Sequence, residues 1–103
     1  MNIFQKLFSN APAVDLKSII DEGAYLVDVR TPGEFLDGYV KGSVNIPLDR
    51  LTNQIIQLKN KKNIVVFCRS GNRSAQAKTI LEQNGIGNVI NGGAWDHVNK
   101  FVK

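Results

Sequence analysis

From Ile64 to Phe67 the chain runs apolar without alternation, and at Cys68 it gives way to the polar, glycine-containing stretch Arg69-Ser70-Gly71-Asn72-Arg73-Ser74. A strand that is apolar at every position has no solvent face, so it belongs in the middle of a parallel sheet covered on both sides. Parallel neighbours need crossover connections, usually helical. The segment Asn63-Ile64-Val65-Val66-Phe67 is therefore read as a central strand with Cys68 at its carboxyl end.

The other segments fit that scheme. Leu16, Ile19 and Ile20 recur at helical spacing, and Gly23 is placed to stop the helix. Tyr25-Leu26-Val27-Asp28-Val29 reads as a short buried strand. Thr31, Pro32 and Glu34 form a capping-box start for a helix from about Pro32 to Asp37, ending at Gly38. Val44-Asn45-Ile46 is a weaker strand closed by Pro47, and Leu51, Ile55 and Leu58 mark a helix face. Ala75, Ala77, Ile80 and Leu81 mark the helix after the polar loop, which Gly85 terminates. Val89-Ile90 gives a last short strand before Gly92-Gly93, followed by a helical turn from Ala94 to about Val102. The alternation predicts an α/β three-layer sandwich, with a mostly parallel sheet of four to five short strands flanked by helices. Ligand sites in such sheets lie beyond the carboxyl ends of the strands, where Cys68 stands.

With 103 residues the chain suits one domain, and residues 1–103 are read as such. Residues 1–13 form either a helix from about Asn2 to Phe8 or an arm that docks through Phe4, Leu7 and Phe8. The net charge of +4 favours small anions or acidic partners. Lys59, Lys61 and Lys62 form the densest basic cluster but lack interleaved aromatics; they read as a solvated loop, and no nucleic-acid partner is expected. No segment approaches a membrane span. The N-terminus lacks the uninterrupted apolar stretch of a signal peptide. A cytoplasmic protein is expected, in the compartment where a free thiol survives. A single cysteine excludes an internal disulfide and any Cys-x-x-Cys redox or zinc site. With no nucleotide-binding loop either, no metal and no cofactor is expected.

Two readings compete at Cys68. One is a small buried hydrophobe beside an ordinary loop. The other is a reactive thiol: backbone N–H groups in such a turn converge on one point, the following helix adds positive potential, and Arg69 and Arg73 add two permanent charges. A thiol facing that cradle ionises more readily than a free cysteine. The polar composition of the loop favours the second reading.

Cys68-Arg69-Ser70-Gly71-Asn72-Arg73-Ser74 resembles the active-site loop of rhodanese-homology domains. Leu26-Val27-Asp28-Val29-Arg30-Thr31-Pro32-Gly33-Glu34-Phe35 resembles that family's first signature, and the stretch from Gly38 to Leu48 resembles its continuation. Asn91-Gly92-Gly93-Ala94-Trp95 resembles the motif near its end. The four motifs stand in order from about residue 14 to 103. Tyr39 departs from the pattern, since the family often has His there, and residues 1–13 show no clear counterpart of the family's first strand.

The resemblance implies a sulfurtransferase in which Cys68 carries sulfur as a persulfide. Sulfur would come from an anionic donor such as thiosulfate and pass to cyanide in vitro or to a protein thiol in the cell. Certain cell-cycle phosphatases resemble this fold but read Cys-x5-Arg. Here four residues separate Cys68 from Arg73, and the smaller loop suits a persulfide sulfur better than a phosphoryl group. A protein-specific sulfur carrier and a non-catalytic binding module are the alternatives.

The loop from Arg69 to Ser74 is the candidate substrate-binding wall. Arg69 and Arg73 are candidates for attracting the donor, with Arg73 the better candidate for bracing the loop. Ser74 reads as a cap of the following helix, Ser70 as a contributor to loop geometry, and Gly71 as the conformationally special position. Asp28 and Arg30 border the site from the neighbouring strand and are read as bracing. His97 is taken as an exposed helix residue, Trp95 as core or rim, and Phe35 and Tyr39 as packing beneath the pocket.

Overall fold

The computed structural model describes residues 15–103, so the expected N-terminal helix or arm lies outside the described residues. Helix α1 (Leu16–Asp21) begins where Asp15 accepts the Ser18 N–H at 3.1 Å, and the chain then turns at Gly23. Strand β1 (Tyr25–Asp28) leads into α2 (Pro32–Leu36), whose capping box is complete: Thr31 Oγ1 accepts the Glu34 N–H, and Glu34 Oε1 accepts the Thr31 N–H. Strand β2 (Val44–Asn45) follows.

The face predicted by Leu51, Ile55 and Leu58 forms, but as two pieces: a 3-10 stretch (Leu48–Gln54), then α3 (Ile55–Lys59). Asp49, Thr52 and Asn53 have short polar side chains that compete with regular helix hydrogen bonding. Strand β3 (Ile64–Cys68), α4 (Asn72–Gln83), β4 (Val89–Ala94) and α5 (Trp95–Asn99) complete the chain.

The four strands pair in parallel in the order β2-β1-β3-β4. All five β3 residues are buried, as an unalternating run requires. Their side chains divide by period two. Ile64, Val66 and Cys68 join Val27, Val29, Leu51, Leu58, Ala77 and Leu81 on the face covered by α3 and α4. Val65 and Phe67 join Leu16, Leu26, Val40 and Val98 on the face covered by α1 and α5. The chain leaves β1 toward one side for β2 and returns on the other side for β3. The order therefore reverses between β1 and β3, and a crevice opens at their carboxyl ends. Asp28 and Cys68 terminate those two strands.

Cys68 ends β3, at the carboxyl end as expected, and belongs to its core cluster. Two expectations change. Ala75 faces solvent, and the inner side of α4 is Ser74, Ala77 and Leu81. Strand β4 runs through the glycine pair that was expected to end it. Val66 pairs with Asn91 and Phe67 with Gly93, so Gly92 is the extra residue of a bulge. A Cβ on Gly92 would stand 2.8 Å from Val98 Cγ2 and 2.9 Å from Val65 Cγ1, so the close approach of β4 to β3 and α5 requires glycine.

One ion pair ties α2 to α4. Arg73 Nη1 and Nη2 donate to Glu34 Oε1 and Oε2 at 2.7 and 2.9 Å. The Arg73 bonds come first among the forces on Glu34. Together with the Thr31 N–H they hold its carboxyl down at about 2 against the opposing effect of burial.

Two stability measurements follow from this packing. Gly92→Ala pushes a methyl into two stiff β-branched side chains in the core and should destabilise by about 1–3 kcal/mol in urea unfolding; a neutral result would mean that β4 shifts freely. Glu34→Gln keeps one acceptor for the Thr31 N–H but removes the charge and one of the two oxygens that Arg73 bonds. The Glu34 carboxyl is depressed in the fold, so its contribution is complete above its unfolded value and fades as pH falls toward about 2. The stability gap between the native chain and Glu34→Gln should accordingly be full at neutral pH and shrink through the acid range. A gap independent of pH would assign the effect to packing.

Candidate active site

The end of β3 delivers a buried sulfur, since Cys68 is 1% exposed. The chain then has to turn into α4 over a short span, and Gly71 makes this possible by taking φ +101° as the residue preceding the helix. A left-handed position of this kind favours glycine. It allows α4 to start at Asn72 and turns the Gly71 N–H onto Cys68 Sγ at 3.0 Å. The amino end of the twelve-residue α4 faces the same atom.

Ser74 was expected to cap α4, but Gly71 holds that place. Ser74 lies in the first turn, fully buried, with Oγ 3.5 Å from Cys68 Sγ. It is also within hydrogen-bond distance of the Gly71 carbonyl, at 3.0 Å, and of Asn91 Oδ1, at 2.7 Å. Burial pushes the Cys68 thiol up. The Ser74 hydroxyl and the N–H groups of Ser74, Gly71 and Ser70 outweigh it and hold the thiol below its ordinary value. The site therefore eases ionisation of the thiol without a neighbouring general base.

Asp28 and Arg30 pair with each other beside this loop. Both are buried, at 0% and 3% exposure. Arg30 Nε donates to Asp28 Oδ1 and Oδ2 at 2.9 Å each, Nη2 donates to Oδ2 at 2.6 Å, and the Arg30 N–H donates to Oδ1 at 2.9 Å. The same guanidinium donates to the Gly38 carbonyl at 2.7 Å and lies 4.6 Å from the centroid of the Trp95 ring. Asn45 Nδ2 closes the end of β2 onto the carbonyls of Asp28 and Arg30 at 3.0 and 2.9 Å.

A cleft of about 390 Å³ opens at this end of the sheet, lined by Arg30, Glu34, Asp37, Arg69, Trp95 and Asp96. Arg30 and Arg73 are both held by carboxylates, whereas Arg69 is exposed and makes no ion pair among the described residues. Ser70 and Asn72 are exposed. Trp95 is a wall of the cleft and the surface on which Arg30 rests. Tyr39 does not pack beneath the pocket: it is 54% exposed and stacks on Phe35 with ring centroids 4.7 Å apart. His97 is exposed and edges against Phe101. Among the described residues no cluster of His, Cys, Asp and Glu is arranged to hold a metal ion. Nor is any helix among them long and apolar enough to cross a membrane.

Glu34, Asn45 and Asn91 take part in the site without having been singled out for it. Glu34 was visible only as a capping residue. Asn45 and Asn91 carried a weak signal, a polar amide inside a strand, where amides are disfavoured unless a specific bond holds them.

The chain is similar to proteins of known name. A sulfurtransferase of Allochromatium vinosum is 37% identical over 70 residues, covering 68% of this chain and 65% of that protein. The thiosulfate sulfurtransferase PspE of Escherichia coli is 38% identical over 69 residues, covering 65% of this chain and 66% of that protein. The match thus spans just under two thirds of the length of these curated relatives. The structure of an Escherichia coli rhodanese with anions superposes with a TM-score of 0.66 at 34% identity, over 73% of this chain and 91% of that one. Residues 12–95 match the rhodanese-like domain as a family. That stretch carries all four strands and the whole Cys68 loop, and the chain belongs to the rhodanese-like domain family.

Proposed function

We propose that this protein is a sulfurtransferase that takes sulfane sulfur from a small anionic donor such as thiosulfate, holds it on Cys68 as a persulfide, and passes it to a thiol. The observation that carries the reading is the position of Cys68 Sγ, under the Gly71 N–H and against Ser74 at the head of α4, where an anionic sulfur is favoured. The thiolate attacks the outer sulfur of thiosulfate. The new S–S bond forms as the old one breaks, and sulfite departs with the electron pair. A thiol acceptor, as its thiolate, or cyanide in vitro, then takes the outer sulfur and returns Cys68 to the thiolate. The loop N–H groups face negative charge at every stage, so they serve both steps without reorganising.

The names of the relatives support the sulfur chemistry, one of them naming thiosulfate. The short Cys68-to-Arg73 spacing supports a sulfur-sized ligand over a phosphoryl group. Arg69 is our candidate for meeting the donor, because Arg73 is engaged by Glu34 and Arg30 by Asp28. Arg73, Asp28 and Arg30 act as braces, and Ser70, Gly71, Asn72 and Ser74 build the wall around the sulfur. A nucleophilic thiol is kept reduced in the cytoplasm, which supports that setting.

Intact mass after thiosulfate should show a gain of one sulfur on Cys68, removed by a cyanide chase; Cys68→Ser should gain none. Sulfur loading in Cys68→Ser would sink the assignment of the nucleophile. Arg69→Ala should raise KM for thiosulfate about tenfold, the effect of losing ~1.4 kcal/mol of a charge-assisted contact. Its melting temperature should stay put, because Arg69 is exposed and unpaired among the described residues. Unchanged kinetics would leave donor recognition to the loop N–H groups.

A further inference from the structure

Ser74 Oγ carries one proton and faces three acceptors: Asn91 Oδ1 at 2.7 Å, the Gly71 carbonyl at 3.0 Å and Cys68 Sγ at 3.5 Å. Only one of them receives that proton at a time. The amide of Asn91 is oriented by a second bond, in which the Gly93 N–H donates to Oδ1 at 2.9 Å. Turned the other way, the amide would set its NH2 against that N–H. Asn91 therefore presents an oxygen to Ser74, at the shortest of the three distances.

Two arrangements of one proton chain satisfy this geometry. With a neutral thiol, Sγ–H donates to Ser74 Oγ, and Oγ–H donates to Asn91 Oδ1, each bond polarising the next. With an ionised sulfur, the hydroxyl proton turns to Sγ. Asn91 Oδ1 then keeps the Gly93 N–H, so the turn orphans no acceptor.

We propose that Asn91 is a positioning residue that competes with Cys68 for the Ser74 proton and thereby limits how strongly the ionised sulfur is held. The effect is useful for a sulfur that must attack and later leave, because an anion bound too tightly is a poor nucleophile. The inference rests on reading Cys68 as the reacting atom, but it concerns ionisation and is testable without turnover. The charged groups around the sulfur are few. They are the Asp28–Arg30 pair at the end of β1, Glu34 of α2 paired with Arg73 of α4, Arg69 in the loop, and Asp37 after α2 and Asp96 of α5 in the cleft. None of them hydrogen-bonds Asn91 or Ser74.

The test reads the ultraviolet band of the thiolate against pH, with Cys68→Ser as the blank; this is the chain's single cysteine, so the signal has one source. Asn91→Ala should lower the titration midpoint by about half to one pH unit, the net scale of one intramolecular hydrogen bond. In a Ser74→Ala background the same substitution should leave the midpoint where it is. Asn91→Asp keeps an acceptor for the Gly93 N–H and holds the Ser74 proton more firmly. It should raise the midpoint, and by more with Ser74 present than without it, so the test stands even where Asn91→Ala fails to fold. Shifts of equal size with and without Ser74 would show Asn91 acting directly through space and overturn the proposal, as would no shift in any variant. A failed thiosulfate reaction alongside the expected midpoints would count against the function proposed above and leave this coupling standing.

Discussion

The buried pair between Asp28 and Arg30 is the interaction on which the arrangement of the site depends. Two opposite charges at 0% and 3% exposure are tolerable only when nearly every donor and acceptor is met. Here Asp28 receives two side-chain nitrogens and a backbone N–H, and Arg30 has the Gly38 carbonyl and the Trp95 face left to contact. Each contact belongs to a different part of the chain: the end of β1, the turn after α2, and the start of α5. Because an uncompensated buried charge costs several kcal/mol, these parts are held in one geometry. The cleft walls inherit that geometry from the pair.

A consequence is that the site is less cationic than its residues imply. Three arginines stand around it, but Asp28 holds one and Glu34 another. Asp37 and Asp96 share the cleft with the third. On the proposed reading, attraction for an anionic donor comes from Arg69 together with aligned backbone dipoles at the head of α4. Fixed dipoles act at short range and in one direction. Such a site is selective for charge placed on the sulfur itself.

Most of the fold was legible because its signals are local. The unalternating Ile64–Phe67 run, the Thr31–Glu34 capping box and the Leu16, Ile19 and Ile20 spacing each dictate an element from neighbouring residues alone. The loop was legible too, since its chemistry is written in consecutive residues. What escaped depends on partners distant in sequence. Glu34 meets Arg73 across 39 positions, and Asn91 meets Ser74 across 17, which no local pattern encodes. Ser74 illustrates the error this produces: a serine near a helix start reads as a cap, and only the left-handed Gly71 moves the helix boundary back and turns the hydroxyl inward. The glycine pair at 92–93 misled for the same reason. Gly92 ends nothing; it lets β4 bulge past the Val65 and Val98 side chains of the core.

The depth of Cys68 bears on the chemistry. A sulfur that ends a central strand, 1% exposed, sits among core side chains on one side and N–H groups on the other. Burial disfavours its charge, and only the loop donors reverse that balance. On the proposed reading, taking up a second sulfur moves the reactive anion outward by about 2 Å, the length of an S–S bond. The charge then leaves the sulfur that packs in the apolar cluster with Val66, Ala77 and Leu81. The acceptor, in turn, needs to reach only the outer atom.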